Sequence, residues 1–403
     1  MPNVNPEILR WARVTAGLAE EEAVEKLKLR GSKKISAVDK LRALEAGEKA
    51  PSRTQLLTMS KVYRRPLLVF YMSAPPRKGD RGKDFRTLPA DHSDAQEALL
   101  DVLIRNVKAR QSMIRSVLEE EEEAQPLAFV GSMTPSDGPD AVLASIKETL
   151  DFSLETFRNQ PSPELAFAFL RSVIENLGVF VLLIGDLGSR HSAIDLGTFR
   201  GFALADEVAP FIIINDRDSE AAWSFTLVHE LVHIWIGQTG VSGFVSDVEV
   251  EQFCNHVAGE FLLPSGELEQ HWLEDIRGLK EVMDRISTFA SKRNLSGSMV
   301  AYKLYLMGII DLYMWQQCST RFHALWLAAR AKRREREREK EGGPSYYIVR
   351  RKRLGRALIN IVLRMMQSGA LTTSRAGVIL GVNPKFVHGL ADTQGTGGRR
   401  RTA

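Results

Sequence analysis

Two cysteines, Cys254 and Cys318, are all that 403 residues contain. That is too few for a disulfide framework, and it suits a reducing compartment such as the cytoplasm. Long apolar runs are missing as well. The longest, at 179–184 and 210–214, are strand-sized and far short of a membrane span, so no membrane partner is expected. The amino terminus carries Pro2, Asn3 and Glu7 where an export signal would place basic and then apolar residues, and no export is predicted. Neither sign of charge dominates: a net charge of +4 permits contact with nucleic acid without arguing for it. What is abundant is core-forming material, at 44% hydrophobic residues, in a chain long enough for roughly two to four domains.

The first 75 residues read as short helices. Asn5 before Pro6 is an N-cap before a proline at the first helical position, and Ile8, Leu9 and Ala12 follow at helical spacing up to Gly17. A second helix carries Ala23, Val24 and Leu27. A third carries Val38, Leu41 and Leu44 and stops at Gly47, and a fourth runs from Ser52 through Leu56, Met59 and Val62. Residues 76–150 read as linker and helical connector. Within them, 77–86 is polar and basic, a long helix leads to the acidic run at 119–123, and 124–139 is rich in proline and glycine and reads as a second linker. Residues 151–312 change texture: a helix near 164–177, then β-branched and aromatic runs at 179–184, 199–203 and 211–214, then strong helical patterns near 219–236 and 247–263. This is an α+β block with strands first and helices packed on them. Residues 313–403 read as a charged helix, a C-terminal helical domain and a glycine- and arginine-rich tail.

The chemistry sits in Phe225-Thr226-Leu227-Val228-His229-Glu230-Leu231-Val232-His233. On a helix, positions four apart share a face, so His229 and His233 can offer ring nitrogens to one ion. Glu230, one residue on, reaches a water beside the ion rather than the ion itself. The flanking residues are large and apolar, so the helix is expected to be buried, where unpaired ionisable groups are costly and a metal ion would pair them. Two core histidines satisfied by backbone carbonyls are the plainer alternative. A third ligand is sought on the next helix, where Ser246 and Glu249 read as a capping box. Glu251, Cys254, Asn255, Ala258 and Leu262 recur there on one inward face, with Gln252, His256 and Glu260 on another. Glu251 is thus preferred over His256. Asn255, one turn further, is a candidate to support the ligands, and Cys254 reads as a small buried hydrophobe more readily than as a thiolate ligand.

At these residues the chain resembles the ImmA/IrrE family of metallopeptidases. The matching pieces are Arg200-Gly201-Phe202-Ala203, the strand at 210–215, the HExxH segment, Glu251-Gln252-Phe253-Cys254-Asn255 and Glu260-Phe261-Leu262-Leu263-Pro264. The resemblance implies a mostly α protein with an α+β zincin-like peptidase core. It implies Zn2+ held by His229, His233 and Glu251, with Glu230 as the catalytic base. Residues 1–75 also resemble an XRE-type helix-turn-helix, with Lys40 and Arg42 nearest to DNA, although Asp39 and Glu45 would bring carboxylates near the phosphates. The resemblance further implies a narrow protein substrate, such as a repressor, in transcriptional, stress, phage or toxin–antitoxin control. A dimer is compatible with it. The competing function is a DNA-binding regulator or antitoxin in which the zinc fold is a scaffold or sensor. Strand 199–203 is a candidate to bind substrate as an added strand.

Overall fold

A computed structural model describes residues 4–32, 34–72, 74–75, 94–238, 248–272, 278–339 and 345–390. The linker expected at 77–86, the capping residues Ser246 and Asp247, and the tail at 395–403 lie outside the described residues. The chain divides into two compact units. The first takes residues 1–80, 87–106 and 186–198; the second takes 81–86, 107–185 and 199–403.

In the first unit, α1 (Pro6–Val14), α2 (Glu20–Leu27), α3 (Ala37–Glu45) and α4 (Arg53–Val62) surround one small core. Their ends follow local chemistry. The Asn5 side chain accepts from Glu7 N at 3.0 Å with Pro6 opening the helix, and Ser52 and Gln55 form a reciprocal capping box at the start of α4. Ile8, Leu9, Ala12, Leu41, Leu44, Leu56, Met59 and Phe70 are buried together, which matches the helical spacing in the sequence. One buried polar contact organises this core. Arg13 Nε donates to Glu45 Oε1 at 2.7 Å and Nη2 to Glu45 Oε2 at 3.0 Å, while Nη1 donates to Leu18 O. Glu45 is therefore an interior ion-pair partner. The expectation that its carboxylate would stand near DNA phosphates is corrected: a bidentate arginine in a desolvated core claims it.

The helix α5 (Asp94–Glu120) contributes to both units. The second unit continues with α6 (Pro139–Thr149), α7 (Leu154–Arg158) and α8 (Pro163–Asn176), and then the strands β1 (Phe180–Leu183), β2 (Gly201–Leu204) and β3 (Phe211–Ile214). The strand order is β1-β3-β2, with β1 parallel and β2 antiparallel to β3. Every strand residue is buried, as unbroken apolar runs require in a sheet covered on both faces. β2 lies at one edge of the sheet, and its residues are buried. Then come α9 (Glu220–Trp235), α10 (Val248–Leu262), α11 (Ser265–His271), α12 (Leu279–Ser291), α13 (Gly297–Leu306) and the long, largely exposed α14 (Leu312–Glu339). They are followed by α15 (Tyr346–Leu354), α16 (Arg356–Gln367) and α17 (Thr373–Leu380). The central helix α9 packs against α8, α10, β2 and β3.

Two segments join this unit more closely than the sequence indicates. The stretch 124–139 binds the end of α9: Gly131 N donates to Ile234 O at 3.0 Å and Met133 N to Trp235 O at 3.3 Å, and Phe129 stacks on Trp235. It completes carbonyls that the last turn of a helix leaves open, instead of running free as a linker. On the other side, α15 and α16 pack on β1 through a buried ion pair on α8. Arg171 Nε donates to Glu175 Oε1 at 2.9 Å, and its other nitrogens reach the carbonyls of Val181 and Lys352. Glu175 Oε2 accepts from Arg356 N and Ala357 N, so a carboxylate of α8 caps the first turn of α16.

Candidate metal centre and catalytic carboxylate

From Trp223 to Trp235 every residue of α9 except Phe225 is buried. The helix is apolar nearly all round because it is surrounded, so His229, Glu230 and His233 are held far from bulk water at 1–4% exposure. α10 packs along it and brings Glu251, also buried, onto the same spot. His229 Nε2 and His233 Nε2 lie 3.2 Å apart. Glu251 Oε2 is 3.2 Å from the first nitrogen, and Oε1 is 3.3 Å from the second. Among the described residues these three form a group able to hold a metal ion.

The spacing tests the fit. Imidazole nitrogen and carboxylate oxygen each bind zinc at about 2.0 Å, and one ligand atom from each of the three residues lies within 4.8 Å of the others. The hydrogen-bond geometry agrees: Glu251 Oε2 is buried and not aligned for a hydrogen bond despite its close neighbours. Two imidazoles and one carboxylate are a donor set that fits a divalent metal such as zinc.

Electrostatics point the same way. Burial resists the charge on Glu251, but the adjacent imidazoles of His229 and His233 outweigh it and hold the carboxyl well below the usual carboxylate range. Burial likewise opposes a proton on His233, yet Cys254, Glu251 and Glu230 together raise its basicity well above that of an ordinary histidine. Cys254 is buried beside His233, and burial pushes its thiol up while His233 opposes the rise.

Glu230 is turned toward β2, and the close approach depends on a glycine. A Cβ on Gly201 would stand 2.6 Å from Thr226 Cγ2 and 2.8 Å from Glu230 Oε1. Gly201 thus lets the strand pass directly over the Glu230 carboxylate, a role visible in the sequence only as one residue of a longer matching motif. Asn215 closes the same corner: its Nδ2 donates to Phe199 O at 3.1 Å, and its backbone N donates to Arg200 O.

Of the residues singled out from sequence, His229, Glu230, His233 and Glu251 come together. Asn255 lies one turn past Glu251. Its Oδ1 is buried without a hydrogen-bond partner among the described residues and lines a neighbouring cavity. His256 is exposed, as its helical phase requires. Lys40 and Arg42 belong to the first unit and are already engaged: Lys40 Nζ donates to Arg30 O, and Arg42 pairs with Glu20 at 2.7 Å.

An HExxH helix packed on a small mixed sheet, with an outlying carboxylate from the following helix, is the arrangement of a metallopeptidase domain. Residues 184–305 match the peptidase family model described as the IrrE N-terminal-like domain, under one third of the chain. No curated protein and no solved structure matches the chain. Among the described residues, no helix is long and apolar enough to cross a membrane.

Proposed function

We propose that the protein is a zinc-dependent endopeptidase acting on a specific regulatory protein, with a DNA-binding module at residues 1–75. The observation that carries this reading is the buried group of His229, His233 and Glu251, 3.2–3.3 Å apart, with Glu230 buried on the same helix as the two histidines. Zinc in such a site polarises a carbonyl and lowers the pKa of water. Glu230 accepts the proton of the attacking water and delivers it to the leaving amine nitrogen. Gly201 keeps β2 close enough to fix the Glu230 carboxylate in one orientation. The apolar shell of α9 excludes bulk water, which strengthens every charge interaction in the site.

The test is zinc content and peptide hydrolysis by wild type, Glu251→Ala and Glu230→Gln. About one zinc per chain is expected in wild type and Glu230→Gln, with little in Glu251→Ala, and hydrolysis only by wild type. A wild-type chain that takes up no zinc at neutral pH sinks the reading.

A second reading is a DNA-binding regulator whose metal site serves as scaffold or sensor. It is favoured by a basic cavity of about 380 Å³ in the first unit, lined by Lys28, Arg30, Lys40 and Lys49 with Thr54 and Gln55. Four cations around one hollow suit a nucleic-acid phosphate. Glu230→Gln separates the two readings: a regulator keeps its biological effect, and a peptidase loses it.

A further inference from the structure

We infer that the face formed by α15, the end of α17 and the turn Pro384–Phe386 binds single-stranded nucleic acid, with a base stacked on Tyr346 and phosphates held by Arg110, Arg350 and Lys385. This surface is separate from the metal centre and from residues 1–75, and it does not depend on the peptidase reading. The charge distribution comes first. Residues 345–390 contain eight lysines and arginines and no aspartate or glutamate, in a chain whose totals are 54 basic and 50 acidic residues. Carboxylates from elsewhere in the second unit answer four of the eight. Lys352 bonds to Glu164, Arg353 to Asp216 at 2.7 Å and Arg364 to Glu123 at 2.6 Å, and Arg375 stands 3.8 Å from Glu120. Arg351 donates to the carbonyls of Gly389 and Leu390. Arg350, Arg356 and Lys385 have no carboxylate partner among the described residues.

Two of these three cations frame a group of aromatic rings. The Tyr346 and Phe386 rings lie 4.9 Å apart, and Tyr347 is 5.6 Å from the first and 6.3 Å from the second. Arg350 stands over Tyr346 at 5.4 Å and Lys385 over Phe386 at 4.8 Å. Tyr346 is 39% exposed, so part of its ring is open to a partner. A further cation arrives from α5. Arg110 packs against Gly381, where the missing Cβ leaves room for the guanidinium. Burial and the positive charge of Arg350 push Arg110 down to about 10, and no carboxylate opposes them. Two arginines held near each other without an acid repel, and an anion between them relieves both. The rings choose among anions. A duplex offers phosphates but keeps its base faces stacked inside, and so does not use an open tyrosine. A single strand offers both an unstacked base and the phosphates on either side of it.

The test is fluorescence anisotropy of the full chain with fluorescein-labelled oligothymidylate and with a labelled duplex of the same length. Wild type is expected to bind the single strand more tightly than the duplex. Tyr346→Ala is expected to weaken single-strand binding about tenfold, and Tyr346→Phe to leave it intact, because the ring and not the hydroxyl does the stacking. Arg350→Ala and Lys385→Ala should each weaken binding and reduce the slope of log K against log salt by about 0.7, the loss of one phosphate contact on a single strand. Lys40→Ala and Lys49→Ala, in residues 1–75, should leave single-strand binding unchanged. Circular dichroism identifies the variants that keep the native fold, and only those are compared. A duplex preferred over the single strand, no binding of the single strand at low salt, or binding that survives both Tyr346→Ala and Arg350→Ala overturns the proposal. Single-strand binding lost in Lys40→Ala or Lys49→Ala but not in the α15 variants places it at residues 1–75 and overturns this surface. None of these results touches the metal centre.

Discussion

Charge is buried in two different ways in this molecule. In the first, Arg13 and Glu45 are interior, and each is the other's partner: a guanidinium fork faces a carboxylate, and Leu18 O takes the remaining donor. Arg171 and Glu175 on α8 are likewise complete, with backbone groups using what the pair leaves over. At the junction of α9 and α10 the pattern breaks. Two imidazoles and a carboxylate lie 3.2–3.3 Å apart and together form a group able to hold a metal ion. A buried arginine–glutamate pair specifies how elements pack. A buried group of two imidazoles and a carboxylate is able to hold something the chain does not encode, a metal ion.

The largest effect should come from removing the proton acceptor while leaving the ligands in place. Glu230→Gln is expected to retain zinc and lose peptide hydrolysis by about 10²–10⁴-fold, the range for a positioned general base. If the variant loses its zinc instead, Glu230 belongs with the ligands and the division of roles is wrong. Glu251→Ala should reduce zinc to well below one per chain by elemental analysis, because two histidines alone leave the tetrahedron half built. On the other side of the comparison, Arg13→Ala strands Glu45 in a core and should cost about 3 kcal/mol in denaturant unfolding of the first unit. Its zinc content should not change. Replacing both Arg13 and Glu45 with apolar residues should recover most of that loss, which no double replacement at the metal centre can imitate.

Two smaller effects sharpen the contrast. Gly201→Ala forces a methyl against Glu230 and Thr226 and should lower hydrolysis by about tenfold or more with zinc retained, as a small misplacement of a catalytic group does. The last prediction concerns pH. In the metal-free protein His233 is more basic than an ordinary histidine. The stability it contributes is therefore fully present below the unfolded-state pKa near 6.5 and is lost as pH rises through its folded value. Zinc requires neutral imidazoles, so its binding strengthens over that same rise. The difference in Tm between zinc-loaded and chelator-treated protein should therefore widen as pH climbs from about 6 to 8. A difference that is constant or narrows with pH would mean that the two histidines are not the ligands.

Much of the fold was legible wherever local chemistry decides it. Asn5 with Pro6, and Ser52 with Gln55, announce helix starts, and the burial of Ile8, Leu9, Ala12, Leu41, Leu44, Leu56 and Met59 follows from spacing. The site was legible for the same reason. His229 and His233 share a face by periodicity alone, and Glu251 falls on the inward phase of α10 while His256 falls on the outward one. Glu45 could not be placed this way. Its partner Arg13 is 32 residues away, and an exposed and a buried glutamate look alike in a short polar helix. The proline- and glycine-rich stretch at 124–139 was misleading because composition reports a lack of periodic structure, not a lack of contacts.

The sequence by itself determined the helices, the identity of the metal-seeking side chains and the phase that puts each of them inward, because these depend on residues within one or two turns. Only the tertiary structure decided that Glu251 arrives 3.2–3.3 Å from two imidazoles, that Gly201 clears the way to Glu230, that Glu45 is claimed by Arg13, and that Glu175 caps a helix begun 181 residues later. These are distances between segments far apart in the chain. They are set by how whole elements pack, and no local pattern carries them.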